Sequence, residues 1–337
     1  MTAKYKIALI GYFAADIVAE ISSRVPAGFD FEAVQDGSRE ELLRVISDAD
    51  FFIGFGEWKI DAAVIKTAPK LKFIQKWGIG VDKYDLNALR DAGIPIAITA
   101  GVNSIAVAEH ALALMLAACR RIALLDRTTR AGKFLKTELR MSSFELAQKT
   151  IGIIGLGNIG KRVAKRVLAF EPKEVLYYDI VRQEQAEREL GVKLVPRDEL
   201  LRAADIITLH VPLDATTRNM IAAREFGMMK KTATLINTCR GGVVNEDALF
   251  EALRDSRILG AGIDVFEKEP TMADNPLFTL ENIVVTPHAA GATYENVCNV
   301  AQHCFDNIVR FAAGQALPAE DIVGLPRAAD APRIASR

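Results

Sequence analysis

Along this chain, short aliphatic and aromatic runs alternate with stretches in which apolar residues recur every three or four positions. The first runs are KIALIGY, FEAVQ, DFFIGF, KFIQKWG and PIAIT, separated by amphipathic segments such as SREELLRVISDA. Strand–helix alternation of this kind predicts parallel βα units. The pattern breaks at Asn103, because residues 104–129 contain neither Gly nor Pro and predict one helix longer than the usual three turns. That helix is a candidate domain boundary and dimer element. A second series follows, with TIGIIG, EVLYYD, DIITLHV, ATLINT, LGAGID and NIVVTPH as its strands, and predicts a doubly wound sheet. A last helix is expected over roughly 294–313, and periodicity alone leaves open which sheet it serves. The end, LPAEDIVGLPRAADAPRIASR, has prolines at 318, 326 and 332 and predicts an irregular surface tail.

A length of 337 residues makes two domains the expectation. The 42 basic residues nearly balance 43 acidic ones, so no overall field draws the protein to nucleic acid or an anionic membrane. The basic cluster Lys161-Arg162 with Lys165-Arg166 falls at helical spacing and is expected to be a solvated helix face. The amino terminus offers only Ile7 to Ile10 as an apolar run, which reads as a first strand and not a signal peptide. The longest greasy stretch, Ala111 to Cys119, falls well short of the roughly 20 residues that span a bilayer. Four cysteines at 119, 239, 298 and 304 form no CxxC pair, which suits a reduced, cytoplasmic setting. Cys298, His303 and Cys304 share a helix but lack a fourth ligand and zinc spacing, so no metal is expected.

Gly155-Leu156-Gly157-Asn158-Ile159-Gly160 follows the strand TIGIIG and opens the helix NIGKRVAKRVLAF, the context that gives a G-x-G-x-x-G match its meaning. Gly155 permits the tight turn, Gly157 admits a pyrophosphate, Gly160 lets helix meet strand, and the helix start supplies N–H groups to phosphate. Asp179 ends the next strand, 19 residues after Gly160, where a ribose-binding acid is expected. A carboxylate there repels a 2′-phosphate, so NAD is expected over NADP. Reducing a keto acid further needs a cation for the carboxylate, a proton donor, and a group that keeps the donor charged. Arg240 after ATLINT, Glu269 after GIDVFE and His288 after VVTP supply these types at three strand ends, where open α/β sheets bind ligands. His110 is expected to pack a helix, and His210-Val211-Pro212 to shape the cofactor loop.

The glycine motif, Asn237-Thr238-Cys239-Arg240-Gly241-Gly242, Asp264-Val265-Phe266-Glu267-Lys268-Glu269-Pro270 and Thr286-Pro287-His288 together resemble the D-isomer-specific 2-hydroxyacid dehydrogenase family. The resemblance reaches Lys76-Trp77-Gly78-Ile79-Gly80-Val81-Asp82 and the segment Asn103 to His110, so only the tail stands outside it. It implies an α/β fold of two Rossmann-like domains, a doubly wound parallel-sheet NAD domain and a flavodoxin-like substrate domain. The substrate domain would be discontinuous, 1–102 plus 292–337, around an NAD-binding domain at 103–291 that includes the long interdomain helix. Arg240 would bind the substrate carboxylate and carbonyl, His288 would exchange the proton, and Glu269 would hydrogen-bond His288 and favour its imidazolium. Backbone N–H groups at Ile79 and Gly80 would help hold the carboxylate, and Asp264 would face the nicotinamide. Expected cofactor contacts are Gly155, Gly157, Asn158, Ile159, Gly160, Asp179, His210, Val211, Pro212, Thr238, Cys239, Arg240, Asp264, His288 and Gly291. The activity implied is NAD-dependent hydride transfer between nicotinamide and a small D-2-hydroxy acid or 2-keto acid, of the glyoxylate/hydroxypyruvate type or the phosphoglycerate type, in a homodimer.

Three departures bear on this. Gly54-Phe55-Gly56-Glu57-Trp58-Lys59 departs from phosphoglycerate-type members, which often place a basic residue after the third strand; Lys59 is a candidate substitute, while Phe55 and Trp58 suggest a less charged or bulkier substrate group. Gly132-Lys133-Phe134 stands where a glycine–tryptophan element is usual, and Ala147-Gln148 replaces a glycine before Lys149-Thr150. Two rival readings keep the scaffold: an NAD-sensing corepressor-like binding protein, and a formate- or phosphite-type dehydrogenase.

Overall fold

In the computed structural model, residues 4–56 and 58–324 are described. Glu57 and the tail beyond residue 324 lie outside the described residues. The chain divides into two units, one running through Asn103 and resuming at Thr293, the other Ser104–Ala292.

Unit 1 begins β1 (Tyr5–Ile10), α1 (Ala15–Ser22), β2 (Phe29–Ala33), α2 (Arg39–Ile46) and β3 (Phe51–Gly54). It continues α3 (Ala62–Lys66), β4 (Phe73–Lys76), α4 (Leu86–Asp91) and β5 (Ile96–Ala97). The five strands pair in parallel in the order β2-β1-β3-β4-β5, a flavodoxin-like arrangement. Successive residues serve opposite faces. Ala8, Ile10, Phe52 and Ile74 pack with Leu42, Val45 and Val64 on one side. Ile7, Leu9, Phe51 and Phe73 pack with Ile21 and the last helix on the other. Burial on both faces is why these strands read as continuous apolar runs.

Unit 2 opens with α5 (Ser104–Cys119), α6 (Ile122–Arg130), β6 (Thr150–Ile154), α7 (Asn158–Val167) and β7 (Glu174–Tyr178). There follow α8 (Glu184–Leu190), β8 (Lys193–Leu194), α9 (Arg197–Ala203), β9 (Ile206–Leu209) and α10 (Ala223–Met228). Then come β10 (Thr234–Asn237), α11 (Glu246–Arg254), β11 (Gly260–Ile263) and β12 (Ile283–Val285). The sheet is parallel throughout, ordered β12-β11-β10-β9-β6-β7-β8, and reverses direction between β6 and β9. Such a reversal is the topological switch point of a doubly wound sheet, where its ligand crevice lies. The chain returns to unit 1 through α12 (Tyr294–Ala312), whose Val300, Ala301, Cys304, Phe305 and Ile308 complete one face of the first core.

Four local expectations are corrected. The long helix over 104–129 is two helices, because Arg121 adopts a left-handed φ of 56°. Its guanidinium donates to Ser142 O and Leu259 O at 3.3 and 3.5 Å, so tertiary bonds set the break where neither Gly nor Pro signals one. A seventh strand, β8, joins the six expected. The basic face of α7 is only partly solvated: Arg162 Nε donates to Ser104 Oγ at 2.6 Å and Arg166 pairs with Glu109 at 3.0 Å, both on α5. The described part of the tail is also anchored. Asp321 is fully buried, accepting from the Ala100 N–H at 2.9 Å, and Ile322 bridges antiparallel to Ala97.

His303 Nε2 bonds Asp321 at 2.6 Å, Cys304 is fully buried, and the Cys298 thiol lies 3.5 Å from a Glu20 oxygen. No helix among the described residues is long and apolar enough to cross a membrane.

Gln148 stands where a glycine is usual, and it keeps the glycine-like backbone at φ 58°, its N–H donating to Glu171 O at 3.0 Å. A left-handed conformation costs a β-carbon-bearing residue roughly 1–2 kcal/mol, partly offset by the greater freedom glycine loses on folding. Gln148→Gly is therefore expected to raise unfolding free energy by about 0.5 kcal/mol. Urea denaturation of the two proteins checks this, and a loss of stability would refute it.

Candidate active site

The glycine loop joins β6 to α7, beside β9 and hence at the switch point. Gly155 turns the chain at φ 92°, and a β-carbon on Gly160 would fall 2.1 Å from Gly155 O, so helix and turn close together only without side chains. At Gly157 the same addition would meet nothing within 4 Å. That open space fronts the start of α7, where Gly157 offers no side chain to cap the first N–H groups. A phosphate suits those donors.

Asp179, just past β7, faces this loop. Its Oδ2 accepts the Leu156 N–H at 2.7 Å and its Oδ1 the Val181 N–H at 3.1 Å, which fixes the carboxylate against the turn. Val211 and the His210 carbonyl pack on Gly155 from the β9 side, and Pro212 O accepts the Thr217 hydroxyl at 2.6 Å. His210 Nε2 contacts Thr208 Oγ1 at 2.9 Å, and its basicity is pushed down to about 3 by burial, so the ring is neutral. His210 Nδ1 and Thr238 Oγ1 are buried without a hydrogen-bonding partner, at the ends of β9 and β10. Buried orphan groups are uncommon in folded proteins and mark places where a bound molecule can supply the missing bond. The open cradle, the fixed carboxylate and these orphans fit a dinucleotide.

Cys239 follows Thr238 as a buried thiol, donating to Asn237 Oδ1 at 3.0 Å and pushed up to about 11 by burial. Arg240 comes next, with Nη1 donating to Cys239 O at 2.7 Å. A β-carbon on Gly241 would lie 1.9 Å from the Phe266 carbonyl, so the Arg240 loop rests directly on the segment leading to Glu269.

Glu269 Oε1 accepts the Phe266 N–H at 2.9 Å, while Oε2 lies 2.7 Å from His288 Nδ1. Burial alone would raise the Glu269 carboxyl, but the His288 and Phe266 hydrogen bonds and the Arg240 charge outweigh it and hold the group ionised. His288 itself takes a left-handed φ of 54° at the end of β12. Its N–H donates to Asp264 O at 2.6 Å. Unit 2 thus brings Arg240, Glu269 and His288 together.

Asp264, expected at the nicotinamide, is fully buried, and its oxygens accept the Ala289 and Ala290 amides at 2.8 and 2.9 Å. Gly291 closes the same loop. Ile79 is exposed at the carboxyl end of β4 in unit 1, beyond Gly78, whose N–H donates to Thr99 Oγ1 at 2.9 Å, and Gly80 follows it. Two features escaped the sequence reading. One is the contact of His110 with Thr286; the other is the partners of Phe55, where Phe13 stacks on it at 4.4 Å and meets Trp77 edge-on at 5.2 Å at the strand ends of unit 1.

A parallel sheet with a glycine-loop cradle that fits a dinucleotide, and a His–Glu pair at its strand ends, are features of an NAD-binding α/β protein. The family follows from comparison: residues 112–290 match the D-isomer specific 2-hydroxyacid dehydrogenase NAD binding domain. The chain is 42% identical over 299 residues to a D-3-phosphoglycerate dehydrogenase of Archaeoglobus fulgidus, covering 89% of itself but 56% of that protein. It is 38% identical over 301 residues to a glyoxylate reductase of Korarchaeum cryptofilum, covering 88% of itself and 90% of that protein. Among solved structures, an NAD-dependent formate dehydrogenase from Staphylococcus aureus in complex with NAD superposes with a TM-score of 0.82 at 30% identity. That match covers 95% of this chain and 98% of the other. The chain belongs to the D-isomer specific 2-hydroxyacid dehydrogenase family, and the phosphoglycerate dehydrogenase and glyoxylate reductase it resembles are oxidoreductases acting on CH–OH donors.

Proposed function

We propose that this protein reduces a small, unphosphorylated 2-keto acid of the glyoxylate or hydroxypyruvate type to the D-2-hydroxy acid, using NADH. The observation that carries this is the His288–Glu269 pair at 2.7 Å, within the field of Arg240. Glu269, ionised, can only accept, so Nδ1 of His288 carries hydrogen and Nε2 is left as the nitrogen that gives or takes a proton. Arg240 would grip the carboxylate and carbonyl of the substrate. Gly155, Gly157, Asn158, Ile159 and Gly160 would hold the pyrophosphate and Asp179 the ribose. His210 to Pro212, Thr238, Cys239, Asp264 and Gly291 would line the nicotinamide end. NADH, when bound, supplies the hydride.

The preference for an unphosphorylated acid rests on unit 1. Its β1, β3 and β4 ends present Phe13, Phe55 and Trp77, and the Lys76 ammonium among them donates to Trp77 O at 2.7 Å. A dianionic phosphate would instead favour several cations turned outward, for which the exposed Lys59 after β3 is the candidate. Ile105, Ile122, Phe134 and Met141, apolar and exposed on or just after α5 and α6, support a homodimer through this region. The four free cysteines suit a reducing cytoplasm.

The test is oxidation of NADH and NADPH by the purified chain with glyoxylate, hydroxypyruvate, pyruvate, phenylpyruvate, oxaloacetate and phosphohydroxypyruvate, and with formate and phosphite in the oxidative direction. Glyoxylate or hydroxypyruvate with NADH should give the highest kcat/KM. Formate or phosphite as the best substrate would replace this reading with the anion dehydrogenase. NADH binding without any turnover would favour the sensing scaffold.

A further inference from the structure

Behind His288 runs a line of hydrogen bonds among side chains to which the proposed reaction gives no proton or substrate. His110, in the second turn of α5, places Nε2 2.9 Å from Thr286 Oγ1 and 3.5 Å from Asp264 Oδ1. The Thr286 hydroxyl, just past β12, lies 2.6 Å from that same Oδ1. Burial works against an ionised Asp264, but hydrogen bonds from His110, Thr286 and the Ala290 and Ala289 amides outweigh it and hold the carboxyl below its usual range.

Proton counting then sets the direction of each bond. A carboxylate only accepts, so the single hydroxyl proton of Thr286 goes to Asp264. The Thr286 oxygen is left to accept, and Nε2 of His110 must donate to it. Both the Nε2–H neutral tautomer and the imidazolium can do so, so the contact survives protonation of the ring. Asp264 is the common terminus: its carboxylate takes Thr286, Ala289 and Ala290, and its carbonyl takes the His288 N–H at 2.6 Å. The left-handed residue His288 therefore lies between groups that all end on one buried acid.

We propose that His110 is a positioning residue for the reaction: through Thr286 it orients Asp264, and through Asp264 it fixes the loop that carries His288. The inference rests on the proton role proposed for His288, but its structural half can be read without turnover. The experiment compares the full-length wild type with His110→Phe, His110→Gln and Thr286→Val. Readouts are hydrogen exchange of the peptide spanning 286–291, NADH binding by fluorescence, and kcat and KM for the best keto acid.

His110→Phe and Thr286→Val should each raise exchange at Ala289 and Ala290 about tenfold. Both should lower kcat about ten- to a hundredfold, the scale of a small misplacement, with KM little changed. His110→Gln keeps an N–H donor and should stay within about threefold of wild type in both readouts. Combining His110→Phe with Thr286→Val should cost little beyond either alone, because both cut one line. Equal loss in the Phe and Gln variants, or unchanged loop exchange in the Phe variant, overturns the proposal. So does faster exchange with undiminished kcat. If the wild type reduces no keto acid at all, the functional reading fails and the exchange result alone decides the line.

Discussion

Replacing His288 with alanine is expected to lower kcat by about two to four powers of ten, the usual worth of a positioned acid–base group, while NADH binds nearly as before. Binding should survive because the glycine loop, Asp179 and the Asp264-anchored amides stay in place; only the ring is lost. His288→Asn should behave alike and tolerates the φ of 54° better than most side chains, which separates loss of the ring from backbone strain. Glu269→Gln should fall less far, since an amide can still meet Nδ1 but no longer requires it to carry hydrogen. The lowered Glu269 carboxyl fixes the pH direction. A carboxyl depressed in the folded state stabilises it above the unfolded-state value near 4.3, and the contribution is lost as pH falls through the folded-state value. Acid loss of activity near neutrality therefore cannot come from protonating Glu269. Steady-state kcat with a parallel fluorescence titration of NADH decides, and near-wild-type turnover in His288→Ala removes the ring from the chemistry.

The central strands were legible because both faces of the sheet are buried there, which makes each a compact apolar run bounded by turn residues; β8, two exposed residues at a sheet edge, forms no such run. The glycine motif and Asp179 were legible because a turn, a helix start and a strand end lie within one βα unit, so spacing in sequence is spacing in space. What escaped the reading depends on distant partners. The break at Arg121 is set by the carbonyls of Ser142 and Leu259, which no local pattern announces. His110 meets Thr286 across 176 positions, and at its own site it looks like one more helix residue. Asp321 lies in a stretch of prolines and charges that reads as solvated, yet His303, Asn307 and the Ala100 amide all converge on it.

Arg240 should respond differently from His288. Arg240→Gln is expected to raise KM for the keto acid as well as lower kcat, since a carboxylate grip acts on ground state and transition state alike. Losing two charge-assisted hydrogen bonds is worth about 3 kcal/mol or more, hence roughly two powers of ten or more in kcat/KM. Arg240→Lys should recover little, because a point charge cannot reproduce the two parallel donors of a guanidinium. The Arg240 side chain is held in place for a structural reason: Gly241 rests on the Phe266 carbonyl, and Nη1 of Arg240 donates to Cys239 O at 2.7 Å. Gly241→Ala, which leaves Arg240 untouched, would push that loop from the Glu269 segment and should reproduce part of the loss. Removing the Arg240 charge should also let the Glu269 carboxyl rise, so the acid loss of stability tied to that group should begin at higher pH in Arg240→Gln. Full activity in Arg240→Lys would show that a lone positive charge suffices, and an unchanged KM in Arg240→Gln would assign the carboxylate to other donors.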